Sequence, residues 1–221
     1  MSKLIFGILS LTIFLAACED PAANKPKATT TNSSNSTNAA NNSSATAPGA
    51  KTETLAINPE NSKVEFVGSK VTGKHDGGFK KFAGTIALVN GKPEDSTVSI
   101  DIDAASVFTD QDGLTKHLQT GDFFDVAKYP KASFKATKIV PDAEKGAGNY
   151  MVTGDLTLRG VTKSVTFPAT ITVVGDSVAV NAEFSINRKD FNILYAGKAD
   201  DLIRDDVVIK LKISAKRGKA S

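Results

Sequence analysis

Beyond residue 52 the chain is predicted to be all-β, an antiparallel barrel of about eight strands with one short helix. Three observations predict it. Apolar and polar residues alternate with period two, turn-forming residues punctuate that alternation at short intervals, and only one stretch carries a helical period.

The elements follow in order. Val64 to Val71 and Phe82 to Val89 alternate first. Val98, Ile100 and Ile102 then alternate with Ser99, Asp101 and Asp103, which turns Ile100 to the interior of a strand with one wet face. Asp110 to Thr120 departs from this pattern. Leu114 and Leu118 stand four apart behind a possible Asp110 cap, predicting a short helix that ends near Gly121. Ala132 to Val140, Tyr150 to Leu158 and Val161 to Val173 resume the alternation. In the next run Val178, Val180, Ala182, Phe184 and Ile186 alternate with Ala179, Asn181, Glu183 and Ser185, and Val207 to Ile213 completes the set. Asn90-Gly91-Lys92-Pro93, Pro141-Asp142, Arg159-Gly160 and Gly175-Asp176 supply turns. A β-sandwich satisfies the same pattern and stays open.

The chain has 221 residues, enough for one domain of ordinary size. Its formal net charge is only +3, and no basic stripe interleaved with aromatics appears, so nucleic-acid binding is not expected. Lys3 precedes an apolar run from Leu4 to Ala17, about fourteen residues where a spanning helix needs about twenty. Residues 1–17 therefore read as an export signal. Leu15-Ala16-Ala17-Cys18 resembles the bacterial lipobox, which makes Cys18 the expected lipid acceptor. It is the only cysteine, so no disulfide can form within the chain. Two or three acyl chains anchor stably where one does not. Residues 18–52 lack aromatics and nearly all large aliphatics, and read as a disordered tether with a reach of roughly 30 Å. The domain occupies 53–217 and a tail 218–221. The expected location is the cell envelope, lipid-anchored and facing the periplasm or exterior.

Several stretches of the domain carry a resemblance. They are Ile57-Asn58-Pro59-Glu60-Asn61-Ser62-Lys63-Val64-Glu65-Phe66, His75 to Ile86, Leu118-Gln119-Thr120-Gly121-Asp122-Phe123-Phe124-Asp125 with Tyr129-Pro130, Gly154 to Lys163, and Asn187-Arg188-Lys189-Asp190-Phe191. In that order they resemble the successive motifs of the YceI-like family, over essentially residues 54 to 216. The resemblance implies a lipocalin-like antiparallel barrel that encloses a long amphiphile, typically a polyisoprenoid, in an apolar cavity. The sequence departs from the family at Leu55-Ala56, where an aromatic often stands, at Asn58, usually Asp, and at Asn192, commonly glycine.

An eight-stranded barrel either fills its interior with side chains or holds one slender ligand, and the residues by themselves allow both. All phenylalanines except Phe6 and Phe14 lie in the domain. Together with the resemblance, they point to an apolar ligand site lined by Phe66, Phe79, Phe82, Ile100, Phe108, Phe123, Phe124, Phe134, Phe167 and Phe191. Phe123-Phe124 would close one end beside the helix or simply dock that helix. His75 stands in a glycine-rich stretch, Thr72 to Gly78, that reads as a turn, and with Arg159 or Arg188 it is a candidate to meet a polar headgroup at the mouth; Arg188 equally suits a pairing with an Asp. The expected partners are a long-chain amphiphile (polyisoprenoid, quinone-like or fatty-acyl) and a membrane through the anchor, with a homodimer left open. The alternative is a filled barrel whose outer face binds another envelope protein.

Catalysis is not expected. The only histidines are His75 and His117, and no Gly-x-Ser-x-Gly elbow, His-Glu-x-x-His helix or phosphate loop occurs. No cofactor or metal is expected either. Asp200, Asp201, Asp205 and Asp206 lack the spacing and glycine of a calcium loop, and read as a solvated turn with Arg204 and Lys198 as counter-charges.

Overall fold

The computed structural model describes residues 19–33 and 50–217. The expected signal peptide at 1–17, Cys18 and the tail at 218–221 lie outside the described residues. The strands are β1 (Thr29–Asn32), β2 (Thr52–Ile57), β3 (Lys63–Lys70), β4 (Gly73–Phe79), β5 (Phe82–Val89), β6 (Lys92–Asp103), β7 (Val107–Thr109), β8 (Lys131–Pro141), β9 (Asn149–Leu158), β10 (Val161–Val174), β11 (Ser177–Asn187), β12 (Gly197–Lys198), β13 (Asp201–Leu202) and β14 (Asp206–Arg217). Among the described residues one α-helix, α1, spans Asp112–Leu118, and Arg188–Phe191 forms a 3₁₀ turn.

Antiparallel pairing runs from β10 through β9, β8, β6, β5, β2, β14 and β11 back to β10, which closes an eight-stranded barrel. β14 is long enough to hold both β2 and β3 on one edge, with Lys216 opposite Ala56 and Lys212 opposite Lys63. Beyond β3 the sheet continues through β4 to β7. The alternation does what period two requires: Leu55, Ile57, Ile86, Ile100, Val165 and Phe184 are buried in one apolar cluster, and the neighbouring Thr54, Thr85, Ser99, Asp101 and Glu183 are exposed.

Turn chemistry is as expected at two hairpins. Asn90-Gly91 (φ 51° and 70°) and Arg159-Gly160 (φ 50° and 72°) have positive φ at both central residues, the type I′ geometry that matches strand twist. Asn192 is left-handed too, with φ 57°, as it caps the 3₁₀ turn. That conformation accounts for asparagine where the resemblance leads one to look for glycine.

The structure corrects three expectations. The glycine-rich stretch from Thr72 to Gly78 is mostly strand β4 rather than a turn, because a Cβ on Gly77 would stand 2.5 Å from the Phe66 ring. Glycine there lets an aromatic lie across the strand. Asp110 does not cap the helix. Gln111 holds the cap position without a side-chain bond, and Asp110 pairs instead with His75.

The third correction concerns the tether. Residues 19–33 lie on the barrel, while 34–49 fall outside the described residues. β10 and β11 pair only from Val174–Ser177 to Thr170–Asn181, and then they separate. Ile171 donates its N–H to Gly148 on the β9 side, so alternate residues turn toward β11, where Pro168 has no N–H to give. The N-terminal segment enters the seam beyond that point. Ser185 donates to Pro26 O at 2.9 Å, Ala28 donates to Ser185 O at 2.8 Å, and β1 pairs with Lys163 to Thr166 of β10. Ala28 joins the main core cluster, and Ala22 is buried on the outer face against Val67 and Val208. Backbone hydrogen bonds, alanines and the ion pairs of Asp20, Lys25 and Lys27 hold this segment, so its lack of large apolar residues gave no sign of it.

Candidate functional site

The candidate site is the inner wall of the barrel with the end that α1 covers. Cross-strand register places the rings. Phe167 of β10 and Phe184 of β11 would oppose each other if the ladder continued past Thr170, and where the strands part their rings stack instead, with centroids 4.1 Å apart and planes 9° from parallel. Phe134 of β8 packs on Phe167 at 5.7 Å. Its ring crosses β9 where Gly154 stands, since a Cβ there would lie 2.3 Å from it. Phe82, Ile100, Phe167 and Phe191 are buried in the same cluster, with Phe134 partly buried against it.

At the helix end a second cluster is built from Val107, Leu118, Phe123 and Ile193. Phe79 links it to the barrel, 6.0 Å from Phe66 and 5.6 Å from Phe124. Phe123 meets the edges of His117 and Tyr195 at 5.0 and 5.5 Å. Tyr195 and Ile193 were not singled out from the sequence, and Leu114 only as part of the helix. Only tertiary packing folds the loop after the 3₁₀ turn back onto α1.

The inner wall is not uniformly closed. Leu156, Leu158, Val180, Ala182, Ile209 and Leu211 alternate inward and pack on the core, yet stay partly accessible. Gly68, on the same strand face as Phe66, would place a Cβ with nothing within 4 Å. Among the open depressions of the described residues are two at the surface. One, of about 540 Å³, lies among Phe82, Ile102, Pro130 and neighbouring charged residues. The other, of about 380 Å³, is flanked by Glu19, Asp20, Lys25, Gly73 and Lys74.

Three expected ligand contacts are placed elsewhere. Phe108 belongs to neither apolar cluster, and Lys80 lies 5.5 Å from its ring centroid. It pairs with Gly78, a position whose neighbours in register face outward. His75 has its Nδ1 2.9 Å from the Asp110 carboxylate. Arg188 is buried and spent on its own loop. It donates to Ile193 O at 2.6 Å, Arg204 O at 3.1 Å, Ile203 O at 3.4 Å and the Asp205 carboxylate at 3.2 Å. Burial pushes its pKa down and Asp205 pushes back. A motif arginine followed by an aspartate-rich loop is what a buried fork needs, so the pairing foreseen as its alternative role is the one realised.

Arg159 also bridges backbone, donating to Asn192 O and Gly121 O, and so ties the β9–β10 turn to the helix end. Three of the four aspartates form ion pairs: Asp201 with Lys70, Asp205 with Arg188 and Lys189, and Asp206 with Lys27. The Lys70 ammonium, helped by Thr72, holds the Asp201 carboxyl below the usual range against partial desolvation. Their counter-charges come from Lys27, Lys70 and the 3₁₀ turn rather than from Lys198 and Arg204; Arg204 pairs with Asp20.

Together these features define a lipocalin-like antiparallel barrel with an apolar, aromatic-lined interior. The chain belongs to the YceI-like domain family, whose pattern matches residues 55–215. A UPF0312 protein of Pseudomonas putida strain W619 is 38% identical over 140 residues, 61% of this chain and 71% of that protein. The crystal structure of Burkholderia cenocepacia BcnA superposes with a TM-score of 0.64 at 27% identity, over 72% of this chain and 99% of BcnA. A Saccharophagus degradans domain described as polyisoprenoid binding shares the fold, with a TM-score of 0.60 at 19% identity over 76% of this chain and all of that one.

Proposed function

We propose that this protein is an envelope lipoprotein whose barrel takes up a long-chain amphiphile of isoprenoid type, for sequestration or transport, without chemistry upon it. The partly accessible inner wall carries the reading. In a closed core, Leu156, Leu158, Val180, Ala182, Ile209 and Leu211 would be sealed as Leu55 and Phe184 are. Water gains little from an apolar wall, whereas a hydrocarbon chain gains about 25 cal/mol for each Å² withdrawn from water. The Saccharophagus degradans domain, with the same fold, supports this class of ligand. Quinone-like and fatty-acyl chains suit the same wall. With Arg188 and His75 already paired, selection rests on the shape and apolarity of the chain rather than on a charged headgroup.

Native mass spectrometry of residues 19–221 made without the signal should show about one co-purifying apolar molecule per chain. Leu156→Trp should abolish uptake while leaving the delipidated protein within about 1 kcal/mol of its parent, since the indole takes the volume meant for the ligand. Repeated empty preparations that take up neither polyprenyl nor fatty-acyl probes would favour a filled barrel that binds another envelope protein on its outer face.

The anchor has its own test. Cys18→Ser should abolish incorporation of labelled fatty acid by growing cells and leave the protein unanchored or unprocessed. Undiminished labelling would overturn the lipoprotein reading.

A further inference from the structure

We infer that the tip of the β3–β4 hairpin is a membrane-docking surface, held against the bilayer because residues 19–33 clamp the lipid anchor to the barrel. This rests on Cys18 as the lipidated residue, and goes beyond it by fixing which end of the barrel meets the membrane.

Covalent geometry starts the argument. Cys18 and Glu19 have Cα atoms about 3.8 Å apart, so an acyl thioether on Cys18 stays within a side chain's length of Glu19. Glu19 and Asp20 sit across a depression from Gly73 and Lys74, which follow directly on the β3–β4 tip at Val71-Thr72. The segment is held along its length rather than at a point. Asp20 pairs with Arg204 at 3.3 Å, Lys25 with Glu183 at 3.0 Å and Lys27 with Asp206 at 2.9 Å. Ala22 covers Val67 and Val208, and residues 26–32 fill the seam between β10 and β11. Single exposed ion pairs are worth about 0.2–1 kcal/mol, but here they act beside a buried contact and a strand pairing.

Two exposed apolar residues lie beside that anchor point. Val71 is 55% and Leu202 49% exposed, and the Val71 N–H donates to Leu202 O at 3.1 Å, so the two exposed residues adjoin through their backbones. Ile203, next in the chain, belongs to the aromatic cluster that closes this end. Docking by this tip therefore turns the Phe66–Phe79–Phe124 end toward the bilayer. The charges nearby are largely paired, Lys70 with Asp201 and Arg204 with Asp20, so the surface fits the apolar interface of a bilayer with no requirement for anionic lipid. Exposed Val174 lies at the opposite end, next to the Ser177 that opposes Lys216, whereas Val67 opposes Val208 near the start of β14.

The chain has no tryptophan, so a single introduced indole reports its own surroundings. The mature chain from Cys18 is coupled through that thiol to a maleimide phospholipid in phosphatidylcholine vesicles, which supplies an anchor independently of cellular processing. Val71→Trp and Leu202→Trp should shift their emission to the blue and lose it to brominated lipid, whereas Val174→Trp should do neither. Adding anionic lipid should not change this. Ala22→Glu, which opens the clamp on the outer face, should restore a water-like spectrum at position 71 while the protein stays vesicle-bound. Water-like emission from both tip positions on vesicle-bound protein, or equal quenching at position 174, would overturn the docking. The acyl mass on Cys18 of protein extracted from cells is read separately, so failure of lipidation and failure of docking are distinguishable.

Discussion

Arg188→Met is expected to lower the free energy of unfolding by about 3–5 kcal/mol, because it breaks a buried charge-assisted network by removing one side of it. Arg188 is 4% exposed and serves three backbone carbonyls and one carboxylate. Methionine matches its length, so little packing volume is lost. What remains is a set of acceptors in a loop folded around a side chain that can no longer donate, each costing about 1–3 kcal/mol where water cannot reach. Arg188→Lys should fall between the two, since one ammonium keeps the charge but cannot present a planar fork to partners on Ile193, Ile203 and Arg204. Urea denaturation of the signal-less protein checks both variants. A loss below about 1 kcal/mol for the methionine variant would mean that the loop finds other donors. Amphiphile uptake by the lysine variant should persist, as Arg188 faces its loop and not the inner wall.

Phe167→Ala should cost about 3–5 kcal/mol in the delipidated protein, the usual price of emptying a buried aromatic site. The ring is 4% exposed, stacked on Phe184 and packed by Phe134, so two neighbouring aromatics lose a contact at once. The space it leaves is apolar and joins the inner wall. If that wall takes a hydrocarbon chain, ligand should restore part of the loss, by about 2.7 kcal/mol at a hundred times the dissociation constant. The comparison needs delipidated and ligand-saturated samples of both parent and variant, followed by thermal or urea unfolding. A variant that is destabilised but gains nothing from any apolar chain would show that Phe167 belongs to a solid core.

Much of the barrel could be read from its residues because a strand with one wet face writes its orientation into the alternation of side chains. Ile100, Phe184 and Ile186 face in as their spacing requires. Asn90-Gly91 and Arg159-Gly160 announced their turns because few residues tolerate two successive positive φ angles. The site was legible only in part. Phe66, Phe79, Phe82, Ile100, Phe123, Phe124, Phe134, Phe167 and Phe191 are all in or against the two apolar clusters. Phe108 is not, since a three-residue strand offers no alternation from which to judge its face. Arg188 and His75 were assigned by residue type, and type does not reveal that Asp110 and the carbonyls of a returning loop had already engaged them.

By itself, then, the sequence determined the all-β class, most strand positions and the inward set of side chains, because each depends on local order along the chain. Tertiary structure alone decided that residues 26–32 complete the wall. That outcome depends on the parting of β10 and β11 beyond Thr170, where Ser185 is left with backbone groups that Pro26 and Ala28 satisfy. A buried backbone donor must find an acceptor wherever one can reach it, and no composition records which segment will supply it.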